Sequence, residues 1–218
     1  MSLQVKICGL TQAEQAAQCA QLGADALGVI FYPPSPRHID LVQATEIVQA
    51  AAETPVVGVF VNTSVEKIVH ICQSAGIHWV QLHGAECPGV VAALQERGFR
   101  VIKVLRSLGV SLERDMGRYA HADGIMVEAG QGPLPGGNGS AWQWEEAQVV
   151  SSQRPLALAG GLNADNILKA AVSAQASLLD LSSGVEKSPG IKDLTQVEEL
   201  LTKVQAYEAT WEHGVIIR

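Results

Sequence analysis

The fold class this sequence predicts is α/β, a closed (β/α)8 barrel. Three observations predict it: short β-rich runs recur from residue 5 to residue 182 of the 218, helix-compatible stretches separate them, and eight such units suit this length. The runs are residues 5–8, 26–31, 56–61, 79–83, 101–106, 124–129, 156–159 and 178–182, rich in Val, Ile and Leu as strands buried on both faces must be. Between them lie 12–22, 41–51, 65–75, 89–97 and 164–172, rich in alanine and glutamine, which read as helices. Strands alternating with helices require right-handed parallel crossovers, which a closed barrel satisfies. An open doubly wound sheet is the competing architecture. It is disfavoured because no strand leads into G-x-G-x-x-G with an acidic residue about 20 positions further on.

A chain that is 47% hydrophobic can bury a sizeable core, and 1–218 fits a single barrel domain, with 204–218 as a C-terminal extension. In that extension Trp211 and Val215-Ile216-Ile217 either pack across the helical ring, form a subunit contact or fray. The formal net charge of -7, with no run of lysine or arginine, argues against nucleic acid or an anionic membrane as partner. A small molecule is the expected ligand. Cys8, Cys19, Cys72 and Cys87 form no C-x-x-C pair and no zinc-like spacing with histidine, so reduced thiols, no bound metal and a cytoplasmic location are expected. Neither a signal-peptide pattern nor an apolar run of the roughly 18 residues that a membrane helix needs is visible.

A barrel of this kind builds its active site from the C-terminal ends of its strands, so polar residues there are the candidates. Cys8, in Lys6-Ile7-Cys8-Gly9, ends the first strand; it is either buried packing or a thiol facing the mouth as nucleophile or base. Arg37 lies in the proline-stiffened Pro33-Pro34-Ser35-Pro36, which would hold its guanidinium to clamp a carboxylate or phosphate, unless it simply faces solvent. Asn62, His83 and Arg106 end strands three to five; His83 either orients substrate or makes structural hydrogen bonds. Glu128 ends the sixth strand, where desolvation would raise its pKa toward the range of a general acid; its alternative is a surface carboxylate.

Gly160-Gly161 and Ser182-Ser183-Gly184 follow the seventh and eighth strands, on the loops that commonly bind phosphate in this fold. Two ordinary turns are the alternative. Lys6 shares parity with Cys8, and Asp180 with Ser182, so closure would set a Lys6–Asp180 pair beneath Cys8 and help lower its pKa. Gly136-Gly137-Asn138-Gly139 lies beyond the sixth strand in a long loop and is a weak signal alone.

Taken in order, Lys6–Thr11, Gly28–Arg37, Val80-Gln81-Leu82-His83-Gly84, Leu158–Asn163 with Asp165-Asn166, and Asp180–Glu186 with Pro189-Gly190 and Lys192-Asp193 resemble the phosphoribosylanthranilate isomerase family of tryptophan biosynthesis. The resemblance covers about residues 3 to 203. It implies an Amadori rearrangement without a cofactor: an acid protonates the ribose ring oxygen, and a base removes the C2′ proton of the resulting Schiff base. By the same resemblance Cys8 would be the base and Glu128 the acid. Arg37 would bind the anthranilate carboxylate, His83, Gly137 and Asp180 would contact substrate, and Gly160, Gly161, Ser183 and Gly184 would hold phosphate.

One departure is conspicuous: Val127-Glu128-Ala129 carries glutamate where the family typically has aspartate. Asn138 and Gln143 also depart from the usual Gly-Gly-Thr-Gly loop and the aspartate that follows it. Glutamate keeps the acid chemistry but adds a methylene, and a catalytic atom displaced by about 1 Å can lose on the order of a hundredfold in rate. Two alternatives therefore stand beside the isomerase: a phosphosugar-binding relative with weak or no catalysis, and an isomerase of a related phosphorylated aminoaldose. A monomer or a homodimer is expected.

Overall fold

The computed structural model describes residues 3–107, 112–129, 142–211 and 214–217. Eight parallel strands form a closed barrel in chain order: β1 (Gln4–Cys8), β2 (Ala26–Ile30), β3 (Val56–Phe60), β4 (Trp79–Leu82), β5 (Arg100–Ser107), β6 (Gly124–Ala129), β7 (Leu156–Leu158) and β8 (Leu178–Leu181). The barrel expectation is met, and the ring closes by β1 pairing with β8 in the register Lys6↔Asp180. Outside it run α1 (Ala13–Gln21), α2 (Leu41–Ala50), α3 (Val65–Ala75), α4 (Pro88–Gln95), α5 (Leu112–Arg118), α6 (Gln148–Ser151), α7 (Ile167–Ala174) and α8 (Leu194–Gln205). A short 3-10 turn, Trp144–Ala147, precedes α6, and a second, Ser183–Val185, follows β8.

Local chemistry starts these helices where the sequence permits. Asp40 accepts the Gln43 backbone N–H while the Gln43 side chain accepts the Asp40 N–H, closing a capping box at α2. Ser64 caps α3 and Asp193 caps α8, each accepting N–H groups that the first helical turn leaves unpaired. α5, α6 and α8 were not read from sequence, nor was the antiparallel hairpin of β9 (Glu186–Ser188) and β10 (Ile191–Lys192). Its two strands are too short to carry a period-2 pattern.

Side-chain parity sorts the strands into two cores. Ile7, Leu27, Val29, Phe60, Val80, Leu82, Val101, Ile125, Val127, Leu179 and Leu181 pack against the helices. The opposite parity gives a separate inner cluster: Ala26, Val57, Trp79, Ile102, Val104, Met126, Ala157, Ala159 and Leu178, joined by Ile216 and Ile217. The chain end therefore closes the N-terminal end of the barrel. Gln4 donates to the Ile217 carbonyl at 2.7 Å, and its Oε1 accepts the Ile216 N–H at 2.8 Å. Trp211 donates to the Ala176 carbonyl at 3.2 Å on the way there.

Candidate active site

At the opposite end of the same interior, the inward parity turns polar: Lys6 and Cys8 on β1, Gln81 on β4 with His83 just beyond it, Arg106 on β5, Glu128 on β6, and Asp180 on β8 with Ser182 beyond it. One cavity there is lined by Cys8, Arg37, Gln81, His83, Glu128, Gly160, Gly161, Asp180, Ser182 and Ser183. Eight of the ten residues proposed from sequence thus meet at one place. Gly184 lies behind that lining, packed against the Leu162 carbonyl so closely that no side chain would fit. Gly137 falls outside the described residues, as do Gly136, Asn138 and Gly139.

Cys8 is 6% exposed, and Gly28 on β2 makes room for it. A Cβ at position 28 would stand 2.6 Å from Cys8 Sγ and 3.0 Å from Lys6 Nζ. The expected Lys6–Asp180 pair is present, Nζ to Oδ1 at 2.7 Å, with Lys6 fully buried. Lys6 acts on the thiol in the expected direction, but burial outweighs it. Burial pushes the Cys8 pKa above its ordinary value; Lys6 and Lys192 pull it down while Asp180 pushes it up, and the net shift is upward. On Lys6 itself burial disfavours the ammonium, but Asp180 and the thiolate outweigh it, so its pKa is raised. Among the buried thiols, burial pushes Cys72 up to about 12, and Cys19 up to about 11 against the pull of Lys192.

Arg37 is 8% exposed and not solvent-facing. Its Nε and Nη2 edge is engaged by Glu186, at 2.9 Å to Oε1 and 2.6 Å to Oε2, which leaves the outer edge of the guanidinium for a ligand. Gly9, at φ 77°, lets the arginine stem pass, since a Cβ there would sit 2.6 Å from Arg37 Cδ. Glu186 in turn accepts from Lys192 Nζ at 2.7 Å, and Lys192 also donates to the carbonyls of Cys8 at 2.5 Å and Ser182 at 3.3 Å. Burial alone would raise the Glu186 pKa, but Arg37 and Lys192 hold it below its ordinary value. For Lys192 burial lowers the pKa, while three oxygens around the ammonium favour the charged form. This network was not assigned from sequence, although Glu186 and Lys192 lie within the motifs that carried the resemblance. A fully buried lysine reveals its partner only once the hairpin is folded over β1.

Glu128 is 4% exposed, not a surface carboxylate. Its Oε1 lies 2.8 Å from His83 Nε2 and 3.6 Å from Arg106 Nε. The loop after β4 that carries His83 is fixed from behind. Lys103, facing outward from β5, donates to the Leu82 and Gly84 carbonyls and to Glu86 at 2.8 Å, and burial lowers its pKa. Glu86 also accepts the N–H groups of Asn62 and Gly84, and Asn62 Oδ1 accepts the Ala85 N–H. Asn62 therefore ties two loops together and does not line the main cavity.

A closed parallel barrel with a buried thiol, a buried carboxylate and glycine–serine loops around one C-terminal cavity defines an enzyme of the (β/α)8 class, built for a small anionic ligand. Comparison with known proteins specifies it further. Residues 5–203 match the family model described as N-(5'phosphoribosyl)anthranilate (PRA) isomerase, and the chain belongs to that family. It is 44% identical over 202 residues to the N-(5'-phosphoribosyl)anthranilate isomerase of Desulfatibacillum aliphaticivorans, covering 92% of each chain. Among solved structures, phosphoribosyl anthranilate isomerase from Thermus thermophilus superposes with a TM-score of 0.84 at 31% identity, over 93% of this chain and 98% of that one. A phosphoribosyl anthranilate isomerase solved with reduced 1-(o-carboxyphenylamino)-1-deoxyribulose 5-phosphate superposes at 0.79, with 34% identity over 94% of this chain and all of that one. The family resemblance read from the motifs is thereby confirmed.

Proposed function

We propose that the protein catalyses the Amadori rearrangement of N-(5'-phosphoribosyl)anthranilate to 1-(2-carboxyphenylamino)-1-deoxyribulose 5-phosphate, the isomerase step of tryptophan biosynthesis. The observation that carries this reading is that Cys8, Glu128, Arg37 and the glycine–serine loops after β7 and β8 line one cavity. Glu128 delivers a proton to the ribose ring oxygen, the C1′–O bond breaks, and a Schiff base forms with the anthranilate nitrogen. Cys8, as thiolate, takes the C2′ proton; the C–H electron pair forms the enolamine double bond while the C=N pair returns to nitrogen. Enolamine and product differ only by tautomerisation.

The outer edge of Arg37 takes the anthranilate carboxylate, while Asp180 and His83 face the sugar. Gly160 and Gly161, both in the left-handed region at φ 92° and 70°, and Ser183 receive the phosphate. Gly184 acts behind them by permitting the two loops to approach, and Gly137 belongs to the same substrate-binding set. The working unit is one barrel domain, with residues 204–218 as its C-terminal extension, acting in the cytoplasm as a monomer or homodimer. No helix among the described residues is long and apolar enough to cross a membrane.

The decisive assay follows anthranilate fluorescence as purified protein meets phosphoribosylanthranilate generated in situ. Protein-dependent decay is the expected result, with complementation of a tryptophan-requiring host; absence of both overturns the reading. Neither finding would come from a phosphosugar-binding protein without catalysis.

A further inference from the structure

Gln81 is the least explained residue of the cavity. It is 1% exposed in the middle of β4, on the same parity as His83, and its Oε1 has no hydrogen-bond partner among the described residues. A buried amide oxygen without a donor is unfavourable, so a site that keeps one is built for a donor arriving with the ligand. The other end of the amide is occupied. Nε2 lies 3.4 Å from His83 Nδ1 and 3.5 Å from Met126 Sδ, both able to accept, so nitrogen faces them and oxygen faces the cavity.

This orientation has a consequence for His83. An imidazole nitrogen that accepts from an amide N–H cannot carry a proton, which leaves the ring proton on Nε2. His83 Nε2 stands 2.8 Å from Glu128 Oε1, off the line of a full hydrogen bond. A nitrogen lone pair and a carboxylate oxygen repel at that separation unless a proton lies between them, so the contact agrees with the same tautomer. With His83 and Arg106 both on Oε1, Oε2 is the oxygen left to carry the catalytic proton.

We propose that Gln81 is a positioning residue for the isomerase reaction: its amide N–H fixes the His83 tautomer, so that Nε2–H holds Glu128 in one orientation. Its free Oε1 accepts from an N–H or O–H group of the bound substrate. The inference rests on the isomerase reading. It matters here because glutamate has one more rotatable bond than aspartate, and His83 removes that freedom.

The test combines two-bond proton–nitrogen correlation spectra of protein labelled with 15N-histidine, the His83 signal being assigned by its loss in His83→Asn, with steady-state kinetics. In the wild type the proton should sit on Nε2, a measurement that needs no substitution in the buried strand. Gln81→Glu replaces the donor by an acceptor and should move the proton to Nδ1, with kcat reduced about tenfold to a hundredfold. Gln81→Met removes both roles, so kcat should fall similarly and KM should rise. A His83 protonated on Nδ1 in an active wild type, or a Gln81→Met protein with unaltered tautomer and kcat, overturns the proposal alone. A wild type without isomerase activity overturns the functional reading, and the positioning role with it.

Discussion

The two ends of the barrel interior are made from the same strands and differ in what they leave unfinished. At the N-terminal end Trp79, Ile102 and Leu178 meet Ile216 and Ile217, and Gln4 spends both ends of its amide on the backbone of that plug. At the mouth, Gln81 Oε1 and Ser182 Oγ are buried without partners among the described residues, and Lys6, Asp180, Arg37, Glu186 and Lys192 are charged groups in or near the interior. Buried polar atoms without partners weaken a fold, whereas satisfied apolar layers strengthen it. One end thus holds the barrel together, and the other keeps unsatisfied groups ready for a ligand. Substitutions at the mouth should therefore change rate more than stability, and substitutions at the plug should do the reverse.

The largest effect is expected for Cys8→Ala, which removes the base and should lower kcat by about 10² to 10⁴-fold while shifting the melting temperature little. Fluorescence turnover and calorimetry on the same preparation check both halves; an active Cys8→Ala enzyme would exclude the thiol from the chemistry. Next is Glu128. Glu128→Gln should lose most turnover, about a hundredfold or more, whereas Glu128→Asp should preserve or improve it, because only the amide lacks a transferable proton. A fully active Glu128→Gln enzyme would remove Glu128 from the role of acid.

The plug should respond in the opposite sense. Ile217 is 3% exposed, and Ile217→Ala should destabilise the fold by about 2–5 kcal/mol, as large-to-small changes in cores do. Its kcat should stay near the wild-type value, since the inner apolar layer separates it from the cavity. Chemical denaturation with activity measured below the transition reads both. A fall in kcat without loss of stability would break the comparison between the two ends.

How far this division was legible in the sequence depends on the range of each signal. Alternation of β-rich and helix-compatible runs is local, so the barrel, its strand order and the Lys6–Asp180 neighbours were readable, and so were the strand-end residues Cys8, His83 and Glu128. Polar residues inside a strand that should be apolar were an available signal for Gln81, but only its parity with His83 says which way it faces. Glu186 and Lys192 were harder: they reach Arg37 and Cys8 because a short hairpin folds back over β1, making contacts 149 and 184 residues apart in sequence. The plug was misjudged for the same reason, since Val215-Ile216-Ile217 has no periodicity that distinguishes a barrel floor from a helical ring.

The thiol's ionisation links the buried pair at the mouth to rate. Burial, outweighing Lys6 and Lys192, places the Cys8 pKa above its ordinary 9.0, so kcat/KM should still be rising at mildly alkaline pH as the thiolate fraction grows. Lys6→Met removes a cation that lowers this pKa and leaves Asp180, which raises it, so the alkaline limb should move to higher pH. An unmoved limb would mean that Lys6 has no hold on the thiol.

The smallest effect concerns stability at the mouth and falls at the acid end of the pH range. Glu186 is an acid whose folded pKa is held below its ordinary 4.5: burial alone would raise it, but Arg37 and Lys192 prevail. An acid with a depressed folded pKa contributes stability above its unfolded value, and that contribution is lost as pH falls through the folded value. The protein should therefore lose stability below about pH 4.5, and Glu186→Gln should lose less over the same interval because it has no proton to gain. Glu186→Gln should also be less stable than the wild type at neutral pH, since it leaves Arg37 and Lys192 facing an amide in a largely dry site. Denaturant midpoints for both proteins between pH 3 and 7 test this. Parallel curves would show that the arginine clamp is held by packing alone, and that the charges of the mouth matter to the ligand and not to the fold.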